Sequence, residues 1–194
     1  VRRIAVVLAA GFALRIAWPL ADPEPRFSWS NGVYTDPPTM VHAARSAVLL
    51  GSWTADGSRD LWIYPLMNGL TWLFYLPFGP GRLPTVVLAA LLGTATVGAL
   101  AWGLWRAAGP RVAELGAILG ALNPWLVFYS RVPVAENVVA LLLALSCVAA
   151  LGRARRSWIA AAALGVAATL FGKYHAVGFL PGLVLFAVLR GRSL

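Results

Sequence analysis

Several ionisable side chains stand at the edges of long apolar runs, where helices begin or end. Asp36 lies beside Pro37-Pro38, just ahead of Thr39–Leu50. Glu136 closes the stretch Ser130-Arg131-Val132-Pro133-Val134-Ala135-Glu136-Asn137, ahead of another apolar run. Lys173, Tyr174 and His175 follow Gly172, and Tyr64-Pro65-Leu66 opens a further run. A carboxylate can take a proton from a hydroxyl, and fixed cations can hold a phosphate. Each residue also has a plainer use. Asp36 fits a helix start, and Glu136 fits a first turn favoured by the helix dipole. Arg131 and Lys173 fit side chains that snorkel to an interface, and His175 fits an interfacial residue, a phosphate donor or a metal ligand. At membrane depth, however, an acid or an arginine needs a partner or a polar cavity and marks a site by default. That applies to Glu136 and to Arg15, which stands inside the first apolar run.

The elements that position these residues follow from composition. Hydrophobic residues make up 60% of the chain and charged residues 12%, with a mean hydropathy of +0.75. This composition points to a polytopic, all-α membrane protein. The net charge of +9 does not indicate nucleic acid, because the arginines are dispersed at run ends rather than gathered in one stripe. Cys147 is the single cysteine, so an intramolecular disulfide and a zinc-thiolate site are both excluded.

Apolar runs of about 20 residues cross roughly 30 Å of hydrocarbon. Ile4–Leu20, Leu83–Trp105, Val112–Tyr129, Val134–Leu151 and Trp158–Phe171 meet or approach that length, and Ala176–Leu189 is a shorter sixth. Pro110 and Pro133 suit first turns, and Asn123-Pro124 should kink the third run. The expectation is about six transmembrane helices plus two interfacial juxtamembrane helices in a first outer loop, 21–82. Thr39–Leu50 reads as one of the two, with Met40, Val41, Ala44, Ala47 and Val48 opposite His42, Arg45 and Ser46. Tyr64–Phe78 reads as the other, with Asn68, Thr71 and Tyr75 along one stripe.

Charge sets the orientation. If Tyr64–Phe78 stays in the interface, Arg106, Arg111, Arg153, Arg155, Arg156, Arg190 and Arg192 join Arg2 and Arg3 on one side. The positive-inside rule makes that side cytoplasmic. Asp22, Glu24, Asp36, Asp56, Asp60 and Glu136 then face outward, and Glu114 alone does not. Tryptophans near run ends form the expected belts: Trp18, Trp53, Trp62 and Trp125 outside, and Trp102, Trp105 and Trp158 inside. The first run reads as a retained helix rather than a cleaved signal, and abundant Ala and Arg beside a single Lys point to a bacterium. The expected place is therefore the bacterial inner (plasma) membrane, multi-pass, with a cytoplasmic N-terminus and a site on the periplasmic or extracellular side.

In this order, these residues resemble the GT-C integral-membrane glycosyltransferases. The branch they are most similar to is that of the protein O-mannosyltransferases and the lipid A aminoarabinose transferases. The resemblance rests on Asp36 heading a helix that closes at Gly51-Ser52-Trp53, then Tyr64-Pro65-Leu66, then Arg82-Leu83-Pro84. It continues through Ser130-Arg131 with Glu136, and Gly165…Gly172-Lys173-Tyr174 followed by Pro181. It covers nearly the whole chain and implies an N-terminal portion or a minimal member of the family. It also implies a polyprenyl-phosphate sugar donor, an acceptor hydroxyl on a lipid, glycan or protein, and inversion at the sugar carbon. Asp36 becomes the catalytic base, and Arg131 and Lys173 hold the departing lipid phosphate with His175, Arg15 and Tyr64 in support. Glu136 orients those cations or helps hold a divalent metal ion, for which Glu136 and His175 are the candidate ligands. The chain departs from the family at Trp62-Ile63-Tyr64, where an acid or histidine is common, and at Pro37, where a second acid often stands.

Two other classes fit the same residues: a non-catalytic module that binds or translocates polyprenyl lipids, and a small transporter. Against transport, the acids gather on one face and no inverted repeat is visible. Loss of turnover in Asp36→Asn separates the enzyme from the binder.

Overall fold

The computed structural model describes residues 2–17, 40–53, 64–152 and 154–191. Among them every regular element is helical: α1 (Arg2–Ile16), α2 (His42–Leu50), α3 (Pro65–Phe78), α4 (Arg82–Ala108), α5 (Pro110–Leu122), α6 (Pro124–Tyr129), α7 (Glu136–Ala150), α8 (Arg155–Ala167) and α9 (Leu180–Gly191). A π turn, Ala168–Gly172, continues α8, and a 3-10 segment, Tyr174–Phe179, leads into α9. The all-α expectation holds. The expectation of six full-length spans does not extend as far: α4, with 27 residues, is the one helix among the described residues both long and apolar enough to cross a bilayer. At about 1.5 Å per residue it is roughly 40 Å long.

Proline explains why the third run is divided. Pro124 has no N–H to give the helix before it. Asn123 is therefore extended (φ −60°, ψ 119°), and its side-chain oxygen accepts from Leu126 N at 3.0 Å. The kink expected at Asn123-Pro124 is a full break, which separates α5 from α6. Pro110 occupies a first turn as expected, whereas Pro133 lies in the turn ahead of α7, which starts at Glu136.

Helix α4 is the hub, packed against α1, α3, α5 and α7, while α8 packs on α7 and α2 on α3. The contacts are made by small residues. Along α5, Ala113, Ala117 and Ala121 are buried, while Leu115, Leu119 and Leu122 are among the exposed residues. In α3 two polar side chains are buried while large apolar ones are exposed. Met67, Asn68, Thr71 and Tyr75 are buried, while Leu73, Leu76 and Phe78 lie 56–66% exposed. Helix α2 corrects its expected face: Ser46 is buried with Ala43 and Ala44, because these small side chains let α2 sit closely on α3. Leu49 and Leu50 are exposed instead.

Contacts fix which helix ends lie together. At one end Arg3 reaches Glu114 at 3.6 Å, and Arg106 Nη1 donates to Val148 O at 3.0 Å. The start of α1, the end of α4, the start of α5 and the end of α7 therefore meet there. At the other end, the far end of α1 meets Ser130, and Met40, Leu88, Leu92, Val134, Ala135 and Val138 share one buried cluster. Helices α1, α4, α5 and α7 thus alternate in direction.

Candidate functional site

The end away from Arg3 and Arg106 gathers most of the residues singled out above. It is built outward from the π turn. Gly172 lies so close to α7 that a Cβ there would stand 2.7 Å from Val139 Cγ2. Its lack of a side chain lets the end of α8 touch the start of α7. Lys173 then leaves the helix in extended geometry (φ −154°, ψ 134°), with its N–H donating to Ala168 O at 2.9 Å. Its ammonium is carried onto Glu136, with Nζ against Oε1 in a close ion pair.

Tyr64 completes the group, its ring 5.9 Å from Lys173 Nζ. Within the group the Lys173 side chain is 17% exposed and that of Glu136 46%. Glu136 Oε2 is shielded from solvent and accepts no hydrogen bond among the described residues. An ammonium on one carboxylate oxygen, beside an aromatic ring, is an ion pair of no net charge at a partly open surface, with the ammonium the more buried partner.

Arg131 is at the same end, in the turn between α6 and α7. Asn137 ties that turn to α7 by donating Nδ2 to Tyr129 O at 3.1 Å and Val132 O at 2.8 Å. Arg131 Nη1 donates to Leu14 O at 3.1 Å and Ala17 O at 2.9 Å. The carbonyls in the last turn of a helix lack partners within it, so Arg131 caps α1 from another element.

Arg15 is placed differently from the expectation that it lines the site. It is 0% exposed. Nε donates to Ser130 Oγ at 2.7 Å, Nη1 to Gly11 O at 2.9 Å and Ala121 O at 3.2 Å, and Nη2 to Gly120 O at 3.4 Å. The break at Asn123 leaves Gly120 and Ala121 carbonyls without helical partners, and Arg15 supplies the missing donors. Ser130 can approach because Gly93 faces it: a Cβ there would lie 2.2 Å from Ser130 Cβ.

His175 is exposed and stacks on Tyr174, with ring centroids 4.0 Å apart. Among the described residues no three His, Cys, Asp or Glu side chains gather as a metal site, so Glu136 and His175 stand without a third such ligand. Asp36 lies outside the described residues, as do Asp22, Glu24, Asp56, Asp60 and most of the segment 21–63.

Sequence reading missed the residues that bind helix ends together. Asn68, fully buried, accepts from Ala44 N at 3.0 Å through Oδ1, so it caps the first turn of α2 from α3. Ala135 N donates to Met40 Sδ at 3.2 Å. The signal available was polarity inside apolar runs: Asn68, Ser130 and Asn137 each interrupt one.

No protein-family model, curated protein or solved structure matches the chain.

Proposed function

We propose that this chain is the membrane module of an inverting glycosyltransferase of the GT-C type. It uses a sugar carried on polyprenyl phosphate and acts at the Lys173–Glu136 end of the bundle. The observation that carries the reading is the Lys173–Glu136–Tyr64 group, with Arg131 in the neighbouring turn. A departing lipid phosphate needs fixed cations at a helix-end surface, and this end supplies them.

The burial of alanines and exposure of leucines in α5 supports residence in a bilayer, where large apolar side chains face lipid and small ones face other helices. Capping between helices supports it too, since backbone groups inside lipid must be satisfied within the protein. In this reading α1, α4, α5 with α6, α7, α8 and α9 pass through the membrane. Helices α2 and α3 lie in the outer interface, and the end bearing Arg3 and Arg106 is cytoplasmic.

The chemistry is a single displacement. Asp36 takes the proton of the acceptor hydroxyl as its oxygen attacks the anomeric carbon. The bond from that carbon to the phosphate oxygen breaks on the opposite face, and the negative charge passes to the lipid phosphate. Lys173 and Arg131 stabilise that charge as it develops, which is where fixed electrostatics lower a barrier most. Glu136 holds Lys173 in place. Arg15 holds the helix ends rather than the donor.

The test is sugar release from a radiolabelled polyprenyl-phosphate sugar pool, in membranes holding either the chain or Asp36→Asn. Release that disappears in the variant, with donor binding kept, is the expected result. Equal release by both removes Asp36 as base. Binding without release by either identifies a lipid-binding module.

A further inference from the structure

At the opposite end from Lys173, helices α4, α7 and α9 enclose a groove of about 350 Å³. Leu104 and Ala107 line one wall, Cys147 and Leu151 another, and Leu183 and Phe186 the third. No polar side chain other than the Cys147 thiol lines it. Gly182 also faces this space, with no atom within 4 Å of where its Cβ would be. The lining suits a hydrocarbon chain and offers nothing to fix the polar groups of a soluble ligand.

The charge at the rim selects among hydrocarbon ligands. Arg106 Nη1 donates to Val148 O, and Val148 itself lines the groove. The guanidinium lies 5.9 Å from the ring of the exposed Trp102. Arg155 and Arg156 are exposed at the start of α8, one turn before Trp158, whose ring packs 6.0 Å from Phe186 of the groove. The described acid at this end, Glu114, is engaged by Arg3.

We infer that this groove holds an acyl chain of an anionic phospholipid, with the phosphate on Arg106. A guanidinium fixed on one side by a carbonyl still presents a planar pair of donors, the geometry that phosphate oxygens take. A second copy of the chain in the same membrane would bring its own basic end to this rim, like charge against like. The inference rests on the membrane reading but not on sugar transfer, and the site is distinct from the Lys173–Glu136 end.

Native mass spectrometry of the detergent-extracted chain, supplied with equal phosphatidylglycerol and phosphatidylcholine, tests it. One phosphatidylglycerol should be retained per chain, favoured over phosphatidylcholine by about tenfold, or roughly 1.4 kcal/mol. Arg106→Gln keeps a donor for Val148 O but not the charge, and should remove the preference. Gly182→Leu fills the groove and should lower retention of both lipids, while Asp36→Asn should change neither. Equal retention of the two lipids, an unchanged preference in Arg106→Gln, or a retained dimer in place of lipid overturns the proposal. Recovery of the chain from the aqueous fraction without detergent overturns the membrane reading with it. Loss of sugar release in Asp36→Asn beside a persistent lipid adduct separates the two sites.

Discussion

Lys173 is the only lysine of the chain, and its neighbours decide what it can do. It is held by Glu136 beside Tyr64, at the end where the proposed function places the lipid phosphate. Lys173→Ala should therefore lower the rate constant of sugar release by about 10²–10³, the usual effect of removing one fixed charge-stabilising group. Single-turnover kinetics would measure it, and an unchanged rate constant would remove Lys173 from the chemistry. Arg15 should behave in the opposite way. Arg15→Met strands Gly120 O and Ala121 O and takes a donor from Ser130 Oγ in a buried place, at a cost of about 3 kcal/mol. The loss should appear as a lower melting temperature in detergent, while folded variant retains donor binding.

Tyr75 offers a test by pH. Burial raises its phenol from 10.0 to about 12, against smaller lowering effects from Arg45 and from a hydrogen bond with Thr85. Because the folded value is raised, its contribution to stability is complete below pH 10 and is lost as pH rises towards 12. Phenolate absorbance should show one tyrosine titrating last, and Tyr75→Phe should delete that phase. Lys173, Glu136 and Arg131 could be singled out because each interrupts apolar sequence near a helix end. The partners of Arg15 and Arg131 could not, since both bind backbone carbonyls, which every residue has.

At the scale of elements, sequence placed the helices better than it placed their limits. The central helix α4 was legible from a long run with no breaker, and α2 and α3 from amphipathic spacing. The split of the third run was underestimated because a proline's effect depends on whether neighbours can satisfy the carbonyls it frees. Here Arg15 does so, and the break becomes tolerable. The buried face of α2 was misassigned at Ser46 because small polar residues pack as alanine does when helices approach closely. Close approach also makes Gly93 a point of failure. With Ser130 Cβ 2.2 Å from its would-be Cβ, Gly93→Ala must push α6 from α4 and release Ser130 from Arg15. A loss of about 1–3 kcal/mol is expected. Chemical denaturation of the detergent-solubilised variant would read it, and wild-type stability would show that the helices part without strain.

The described residues form two unlike ends, joined by helices that bury many alanines and expose many leucines. One end carries Arg3, Arg106 and a groove suited to hydrocarbon. The other carries Lys173, Glu136, Tyr64 and Arg131 around helix ends that cap one another. Of the acids expected at that end, Glu136 alone lies among the described residues. The central claim is that the Lys173 end works on a lipid phosphate rather than serving only to fasten α7 to the π turn. Exchanging the two charges, Glu136→Lys with Lys173→Glu, separates the alternatives. A fastening pair restores both stability and sugar release when its charges are swapped. If Lys173 acts on the phosphate, the double variant should regain the melting temperature lost in either single variant but release sugar no faster than Lys173→Ala. Recovery of release together with stability would contradict it.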